Sequence, residues 1–456
     1  MKKYRFLSVL LVLPMVLSLL LPVSAAQEDL DLFCTHAILL DANHGDILYD
    51  VKSGERAYPA STTKLMTCLL VLEAVQSGQL TLETVVTVPG DAYQGLTGNF
   101  STAGLKVGEQ LSVEELLYCL MLPSANEAAN VLAVAVDGSI EAFVEHMNRR
   151  AAELGCKGTH YANTHGMHQD EHYTTAYDLA LTMQACLEHD LFRTITTAPK
   201  HTVPATGVSG EREFYNTNGL VSSWKYSGYL YDKCVGGKTG STDEAGRCLV
   251  SAAEDGDELL ISVILGSGPM NEAGYEQLRQ GQFVESRRLL EYGFSNFQRV
   301  TITKGDEPVD KVKVTMSRQA DEVNLKPQGS ITRTLPKSMD VDDIEYRITR
   351  FADEVEAPVE AGQVMGTMTL YYEDEVYGTL DLVAVTSVER SDLLHKKQQF
   401  FDFFQSAGVK LALACGGLVV LLAGLQLLVF RKRRRPHAKA GARTSRRGNY
   451  RGNRRY

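Results

Sequence analysis

The chain has 456 residues, of which 44% are apolar and 22% are charged. This is the composition of a folded globular protein of two or three domains, and it excludes a disordered chain, a collagen-like repeat and a short disulfide-stabilised scaffold. The formal net charge of −10 is unevenly distributed, because residues 26–409 hold 30 basic and all 56 acidic side chains. Such an acidic body has few cations for phosphate contacts, so we expect no nucleic-acid binding by the folded part.

The first 25 residues have the features of a signal peptide. Three basic residues among the first five precede an apolar stretch from Phe6 to Leu21, and Val23-Ser24-Ala25 fits the small-residue pattern of a cleavage site. An uncleaved anchor helix is the alternative, but the apolar stretch is short for one. We therefore predict a signal peptide over residues 1–25 and an exported body.

Residues 26–295 alternate between strand-like and helical segments. Two strands, His36–Leu40 and Asp46–Val51, are joined by the turn sequence Asn43-His44-Gly45. Ser61–Val75 is apolar nearly all round, which predicts a buried central helix. These segments together predict an α+β domain, an antiparallel sheet flanked by a helical region. Further helices are predicted from Ser112 to Pro123, over Glu127–Val136 and Ile140–Leu154 and from Thr175, and further strands over Cys248–Ala253 and Leu259–Leu265.

Residues 297–390 have a different sequence pattern, in which short segments of alternating apolar and polar residues are separated by turn residues. This pattern predicts a small all-β domain. It carries no clustered Ser/His/Asp or Cys/His set, so we expect a spacer or an interaction module. The predicted strands are Val300–Thr303, Val312–Thr315, Tyr346–Thr349, Gly366–Tyr371 and Tyr377–Val385.

The C-terminal region predicts a membrane anchor. After a juxtamembrane segment over residues 391–407, the apolar stretch Leu411–Phe430 is long enough as a helix to span ~30 Å, the thickness of a hydrocarbon core. Five basic residues follow at once and mark the cytoplasmic side. We predict a single transmembrane helix over residues 408–430 and a basic cytoplasmic tail over residues 431–456, with the body on the outer side.

Three short motifs stand out in order: Ser61-Thr62-Thr63-Lys64, Ser124-Ala125-Asn126 and Lys238-Thr239-Gly240. The first pattern is weak alone, because Ser222-Ser223-Trp224-Lys225 also matches it. A serine hydroxyl becomes a good nucleophile only when a base takes its proton, and a lysine one helical turn away can do so if its pKa is lowered. Burial in the central helix and the charge of a second lysine from the third motif would both lower it. The set therefore predicts a nucleophilic serine with a lysine base.

The expected roles of the remaining motif residues follow from their hydrogen-bonding and charged groups. Ser124 lies at a break between two helices, where its hydroxyl is expected to relay a proton between Lys64 and a leaving amine. The asparagine of the second motif is expected to hold a substrate amide, and the lysine and threonine of the third to bind a substrate carboxylate. The backbone N–H groups of Ser61 and Ser241 are expected to form the oxyanion site. The predicted catalytic residues are Ser61, Lys64 and Ser124, and the predicted substrate-binding residues are Asn126, Lys238, Thr239, Gly240 and Ser241.

Neither a metal nor a cofactor is predicted. His160, His165, His168 and His172 are close in sequence, but their spacing matches no standard zinc pattern. The cysteines are scattered and do not indicate a disulfide framework.

The three motifs resemble those of the penicillin-recognising serine D,D-peptidases. The segments His36–Met66, Asn163–Met167 and Lys238–Gly246 are most similar to the low-molecular-weight D-alanyl-D-alanine carboxypeptidases, which also carry a C-terminal β domain and a membrane attachment. The resemblance implies that the D-Ala-D-Ala end of a peptidoglycan stem peptide acylates Ser61 and that D-alanine leaves. It also implies that β-lactams acylate the same serine and that the protein lies in a bacterial cell membrane.

The sequence differs from the family pattern at two points, and three alternative functions stay open. Thr217 stands where some family members have an arginine, which leaves the carboxylate-binding residue open, with Arg247 as a candidate. The full span also differs from the surface-lying helix common in the family. A β-lactamase would need a glutamate in an E-x-x-x-N arrangement between the second and third motifs, and we find none. Endopeptidase or transpeptidase action remains possible, whereas a catalytically silent scaffold is disfavoured by the intact motifs.

Overall fold

The computed structural model describes residues 30–267, 280–303, 305–372 and 375–432. The predicted signal peptide and nearly all of the predicted basic tail lie outside the described residues. The chain divides into two compact units. The first contains the residues up to 304 together with 330–345, and the second contains 305–329 and the residues from 346 onward.

A five-stranded antiparallel sheet forms the centre of the first unit, as predicted. Its strand order is β2-β1-β9-β8-β7, so β7 lies at one edge. Three further pairs, β3 with β4, β5 with β6 and β10 with β13, form small ribbons in the same unit. The strands are β1 His36–Asp41, β2 Ile47–Val51, β3 Val85–Thr87, β4 Gln110–Ser112, β5 Lys200–Val203, β6 Arg212–Tyr215, β7 Cys234–Thr242, β8 Gly246–Asp255, β9 Glu258–Ser267, β10 Phe297–Thr303 and, after two strands of the second unit, β13 Ile331–Pro336.

Helices cover both faces of the sheet, because strand residues alternate between the two sides. Ile38 and Leu40 pack into the larger core with α1, whereas Leu39 packs on the opposite face with α7. The predicted buried helix is confirmed, since α1 is buried along nearly its whole length. The helices of this unit are α1 Lys64–Gln76, α2 Val113–Met121, α3 Asn126–Asp137, α4 Ile140–Glu153, α5 Ala176–Leu187, α6 Asp190–Thr197 and α7 Gly281–Asn296, with 3₁₀ turns at Ala60–Thr63 and Val341–Asp343.

Side-chain caps set the helix boundaries that the sequence predicts. The Ser112 hydroxyl accepts a hydrogen bond from the Glu115 N–H (3.2 Å) and begins α2, which ends just before Pro123. The Thr175 hydroxyl accepts from the Asp178 N–H (3.0 Å) and begins α5. These bonds satisfy amide groups that the first turn of a helix leaves unpaired.

The second unit is built on a six-stranded sheet with the order β14-β16-β17-β12-β11-β15, in which β11 and β15 are parallel. The predicted all-β character is confirmed, and the sequence analysis missed β12 and β15. β15 has only three residues, so its alternation covers few positions, and β12 ends at Pro327, a residue type that argues against a strand. The strands are β11 Asp310–Thr315, β12 Glu322–Pro327, β14 Glu345–Arg350, β15 Glu354–Glu356, β16 Val364–Tyr372 and β17 Glu375–Ala384.

Two helices, α8 Asp392–Gln405 and α9 Ala407–Lys432, end the described chain. Residues 407–430 of α9 have a mean hydropathy of 2.4 and are not buried against any part of the described protein. By its length and apolarity this helix is a candidate membrane span.

Candidate active site

Ser61 lies on the 3₁₀ turn that leads into α1, directly against the edge strand β7. A Cβ added to Gly240 would lie 2.9 Å from the carbonyl oxygen of Pro59 and 3.0 Å from the amide nitrogen of Ser61. Only a residue without a side chain lets β7 approach the serine this closely. The first and third motifs, 177 residues apart, therefore meet at one point.

Lys64 is fully buried, and three oxygen atoms surround its amine. The Nζ atom lies 3.2 Å from Ser61 Oγ, 2.7 Å from Asn126 Oδ1 and 2.8 Å from the carbonyl oxygen of His165. The last two oxygens can only accept hydrogen bonds, so they engage two N–H groups of the amine. In a neutral amine the remaining position is a lone pair, and it faces the serine hydroxyl. The geometry suits proton transfer from Ser61 to Lys64.

The electrostatic surroundings lower the pKa of the Lys64 amine well below its ordinary value. Burial has the largest effect, the charge of Lys238 adds to it, and Glu127 opposes both. Burial, together with the charge of Lys225, in turn lowers the pKa of Lys238 to about 7. The site therefore shifts Lys64 toward the neutral form that a general base requires.

Ser124 occupies the loop between α2 and α3 in a strained backbone conformation with φ = +66°. Its Oγ atom is buried and has no hydrogen-bond partner among the described residues. Ser124 and Ser61 line the same cleft. A buried hydroxyl without a partner is suited to exchange a proton with a ligand.

The side chain of Asn126 contacts Lys64, the proposed base. Its Oδ1 atom accepts the hydrogen bond from Lys64, so the Nδ2 group is the part left for a substrate. The sequence analysis expected this side chain to hold a substrate amide, and the structure adds a second contact that orients Lys64.

Lys238 and Gly240 of the third motif are buried, whereas Thr239 is half-buried and the following Ser241 is exposed. Lys238 is almost completely buried and donates a hydrogen bond to the carbonyl oxygen of Thr239 (3.0 Å). The hydroxyl of Thr239 lies 2.7 Å from that of Thr217. Thr239, Gly240 and Ser241 line the cleft, and Lys238 is not among the residues that line it.

The cleft has a volume of about 230 Å³. Five of its lining residues were predicted as site residues from the sequence, and its lining includes no carboxylate among the described residues. Sequence reasoning assigned no role to several others, because they belong to none of the three ordered motifs. These include Ser101, Lys225, Tyr226, Gln282 and Phe283.

The His165 carbonyl was also missed, although its segment, Asn163–Met167, resembles the family. The Asn163 side chain accepts a hydrogen bond from the Gly166 N–H (2.7 Å), and Gly166 has φ = +90°. The two buried histidines near Lys64 are neutral, because burial lowers the pKa values of His165 and His172 to about 3.

The His172 ring is hydrogen-bonded to Thr63 Oγ1 (2.7 Å) and accepts a hydrogen bond from the Ala162 N–H (3.0 Å). These histidines support the site and form no metal-donor cluster within the described ranges.

We predict that Gly166→Ala destabilises the protein strongly. The new Cβ would overlap the carbonyl oxygen of Ala60, beside Ser61. Gly138 is a matched control, because its φ is also positive (+79°) but its Cβ would meet nothing within 4 Å. Urea unfolding should show a loss of about 1 kcal/mol for Gly138→Ala and about 3 kcal/mol or more for Gly166→Ala. Equal losses would contradict the close packing of Gly166 against the turn.

The fold and the site define a class of protein. The structure resembles penicillin-binding protein 5 from Haemophilus influenzae with a TM-score of 0.64 at 26% identity, covering 79% of this chain and 98% of that one. It also resembles penicillin-binding protein 6B from Escherichia coli, with a TM-score of 0.58 at 28% identity, covering 77% and 95%. The chain is a member of the penicillin-recognising serine peptidase superfamily, as its motifs predict.

Within this class the chain belongs to the D-alanyl-D-alanine carboxypeptidase family, whose model matches residues 23–268. Residues 297–390 match the C-terminal domain of penicillin-binding protein 5. The chain is 30% identical to D-alanyl-D-alanine carboxypeptidase DacF of Bacillus subtilis, over 78% of this chain and 86% of that protein. It is also 30% identical to DacA of Escherichia coli K12, over 79% and 84%. The predicted enzyme class, a serine-type D-alanyl-D-alanine carboxypeptidase, is confirmed.

Proposed function

We propose that this chain removes the terminal D-alanine from peptidoglycan stem pentapeptides through an acyl-enzyme on Ser61. The observation that carries the proposal is the environment of the buried Lys64 amine. Two of its neighbours, Asn126 Oδ1 and the His165 carbonyl oxygen, can only accept hydrogen bonds, and the third neighbour is Ser61 Oγ at 3.2 Å. No cofactor or metal is needed for this chemistry.

The reaction has two steps. The Ser61 oxygen attacks the carbonyl carbon between the two D-alanines while Lys64 takes the hydroxyl proton. The backbone N–H groups of Ser61 and Ser241 stabilise the oxyanion, and the proton passes through the Ser124 hydroxyl to the leaving amine. The C–N bond breaks and D-alanine departs, leaving an ester on Ser61. Water, deprotonated by the same base, then hydrolyses the ester and frees the shortened peptide.

Mass spectrometry of purified pentapeptide muropeptides tests the proposal. After incubation with the full chain we expect each substrate to lose one alanine, with free D-alanine in the solution. Muropeptides of unchanged mass would contradict the carboxypeptidase proposal. Cleavage of cross-linked dimers alone would replace it by an endopeptidase function.

The β-lactamase alternative differs in the fate of the acyl-enzyme. Because the described lining of the cleft has no carboxylate to activate a water on the penicillin ester, we expect a long-lived penicilloyl-enzyme rather than turnover. β-Lactams then act as covalent inhibitors.

We also propose that the chain is anchored in the bacterial cell membrane by α9, with the enzyme outside and the C-terminus in the cytoplasm. The 24 residues 407–430 match the hydrocarbon thickness, and the 26 residues from Arg431 to Tyr456 contain 12 basic and no acidic side chains. The positive tail also suits contact with anionic lipid headgroups.

Truncation tests the anchor. We expect the full chain to remain with membranes in high salt and to require detergent, because each buried apolar residue of α9 stabilises the inserted state. A chain ending at Arg390, before α8, should be soluble and should react with penicillin at the same rate. A truncated chain that stays in the membrane fraction, or a full chain released by salt alone, would contradict the proposal.

A further inference from the structure

Glu127 is a fully buried carboxylate that has no part in the reaction steps described above. It is the second residue of α3 and follows Asn126 directly. Its Oε1 atom accepts hydrogen bonds from Thr102 Oγ1 (2.7 Å), the Ala103 N–H (2.7 Å) and, at a longer distance, the Leu105 N–H (3.4 Å). A carboxylate removed from water is costly, so the groups around Glu127 must compensate for its burial.

The three hydrogen bonds fix residues 101–105, here called the wall loop, to the start of α3. Ser101 of the wall loop lines the cleft, and its carbonyl oxygen accepts a hydrogen bond from the Asn126 N–H (2.9 Å). The side chain of Asn126 in turn accepts the hydrogen bond from Lys64. Glu127 therefore orders one wall of the cleft and the helix start that orients the proposed base.

The second carboxylate oxygen of Glu127 has no such bonds. Oε2 is buried and has no hydrogen-bond partner among the described residues. The first turn of α3 favours a negative charge at this position, and within the protein interior that charge is little screened. It raises the pKa of Lys64, against the effects of burial and of Lys238. A general base must be neutral and yet basic enough to take a proton, so both opposing charges matter.

The other titratable groups around this pair are neutral. His165 and His172 lie near Lys64, and burial lowers the pKa of each to about 3. Burial raises the pKa values of Tyr93 and Cys119, and in each case the charge of Glu127 raises the pKa further. Within the described part of the chain, the charges that act on Lys64 are those of Lys238 from β7 and Glu127 from α3.

We propose that Glu127 is a positioning residue of this active site, which fixes the wall loop and by its charge keeps Lys64 basic enough to take the Ser61 proton. This inference rests on the proposed function and deepens it. The strength of the base is then set by two opposed charges on different elements, Lys238 on the edge strand and Glu127 on α3.

The pH profile of acylation tests the charge of Glu127. The measurement is the single-turnover rate of penicilloyl-enzyme formation by the full chain across a pH series. Glu127→Gln keeps an oxygen that accepts the hydrogen bonds of the wall loop but removes the charge. We expect the acidic limb to move to lower pH, opposite to the shift expected when Lys238 loses its charge. On the plateau the rate should fall about threefold or more, because a weaker base takes the proton less readily.

Glu127→Asp tests the positioning of the wall loop. It keeps the charge but is one methylene group shorter, so it cannot reach all three donors of the wall loop. For an acetylated peptide ending in D-Ala-D-Ala, we expect KM to rise about threefold or more, with the acidic limb close to its wild-type position. A KM equal to that of the wild type would overturn the positioning role, whether or not Glu127→Gln folds.

Glu109 supplies a matched control, because it is a second buried carboxylate that holds the wall loop. Its Oε1 atom binds Arg212 Nη2 (2.6 Å), and Arg212 Nη1 donates to the carbonyl oxygen of Ala103 (3.2 Å). Its charge is not among those that shift the pKa of Lys64, so Glu109→Gln should loosen the wall loop and leave the limb in place. A limb that stays in place in Glu127→Gln, or moves equally in both variants, would overturn the inference.

The same experiment separates this inference from the proposed function. If penicillin does not acylate the wild-type chain at any pH, the proposed function fails. If the wild type is acylated with an acidic limb, and Glu127→Gln has the same limb and the same plateau rate, only the role of Glu127 fails.

Discussion

Ser61→Ala should lose both carboxypeptidase activity and labelling by a fluorescent penicillin. Without the hydroxyl no ester can form, and removing a nucleophile of this kind lowers kcat by about 10⁴-fold to 10⁶-fold. The side chain is only half-buried and makes one hydrogen bond, so the folded state should be nearly unaffected. The measurement is the rate of D-alanine release, with gel fluorescence of the labelled protein.

The chain offers a matched control for this variant. Ser222 begins the second S-x-x-K pattern, with Lys225 three positions later, and it does not line the cleft. Ser222→Ala should therefore label and turn over at the wild-type rate. Equal labelling of Ser61→Ala and the wild type would show that another residue is the nucleophile.

Lys64→Ala should lower the acylation rate by about 10³-fold or more, because no other described side chain is placed to take the Ser61 proton. Lys64→Arg distinguishes a role of Lys64 as a base from a role of its positive charge alone. A guanidinium stays protonated, so it should fail as a base and lose a comparable factor. The measurement is the rate of penicilloyl-enzyme formation under single-turnover conditions, and a normal rate in either variant would refute the assignment.

The pH profile gives the same assignment an independent check. In the wild type, kcat/KM should rise with pH as Lys64 loses its proton. The charge of Lys238 lowers the pKa of Lys64, so Lys238→Gln should raise that pKa and move the acidic limb to higher pH. A limb that stays in place, or moves to lower pH, would contradict the coupling between the two lysines.

The elements that carry the motifs were predictable because their signals are local. Ser112 and Thr175 cap helices within four residues, and the stretch Leu65–Leu72, apolar except for Thr67, is enough to predict a buried helix. The serine–lysine pair follows from helical periodicity once the other two motifs distinguish it from the second S-x-x-K pattern.

The contacts that complete the site were not predictable, because they depend on register and backbone. The His165 oxygen belongs to the main chain, so its identity leaves no trace in the side-chain pattern. Arg247 meets Ser241 only because the β7–β8 turn sets which residues face each other. The contact between the hydroxyls of Thr217 and Thr239 (2.7 Å) likewise joins two residues that are 22 positions apart in the chain.

Peptide mapping of the trapped acyl-enzyme tests the central claim most directly. The full chain is incubated with benzylpenicillin, quenched in acid and digested, and the modified residue is identified by tandem mass spectrometry. The account predicts one penicilloyl group, carried by the hydroxyl of Ser61. A group on Ser124 or Ser222, or an unmodified protein after prolonged incubation, would contradict it.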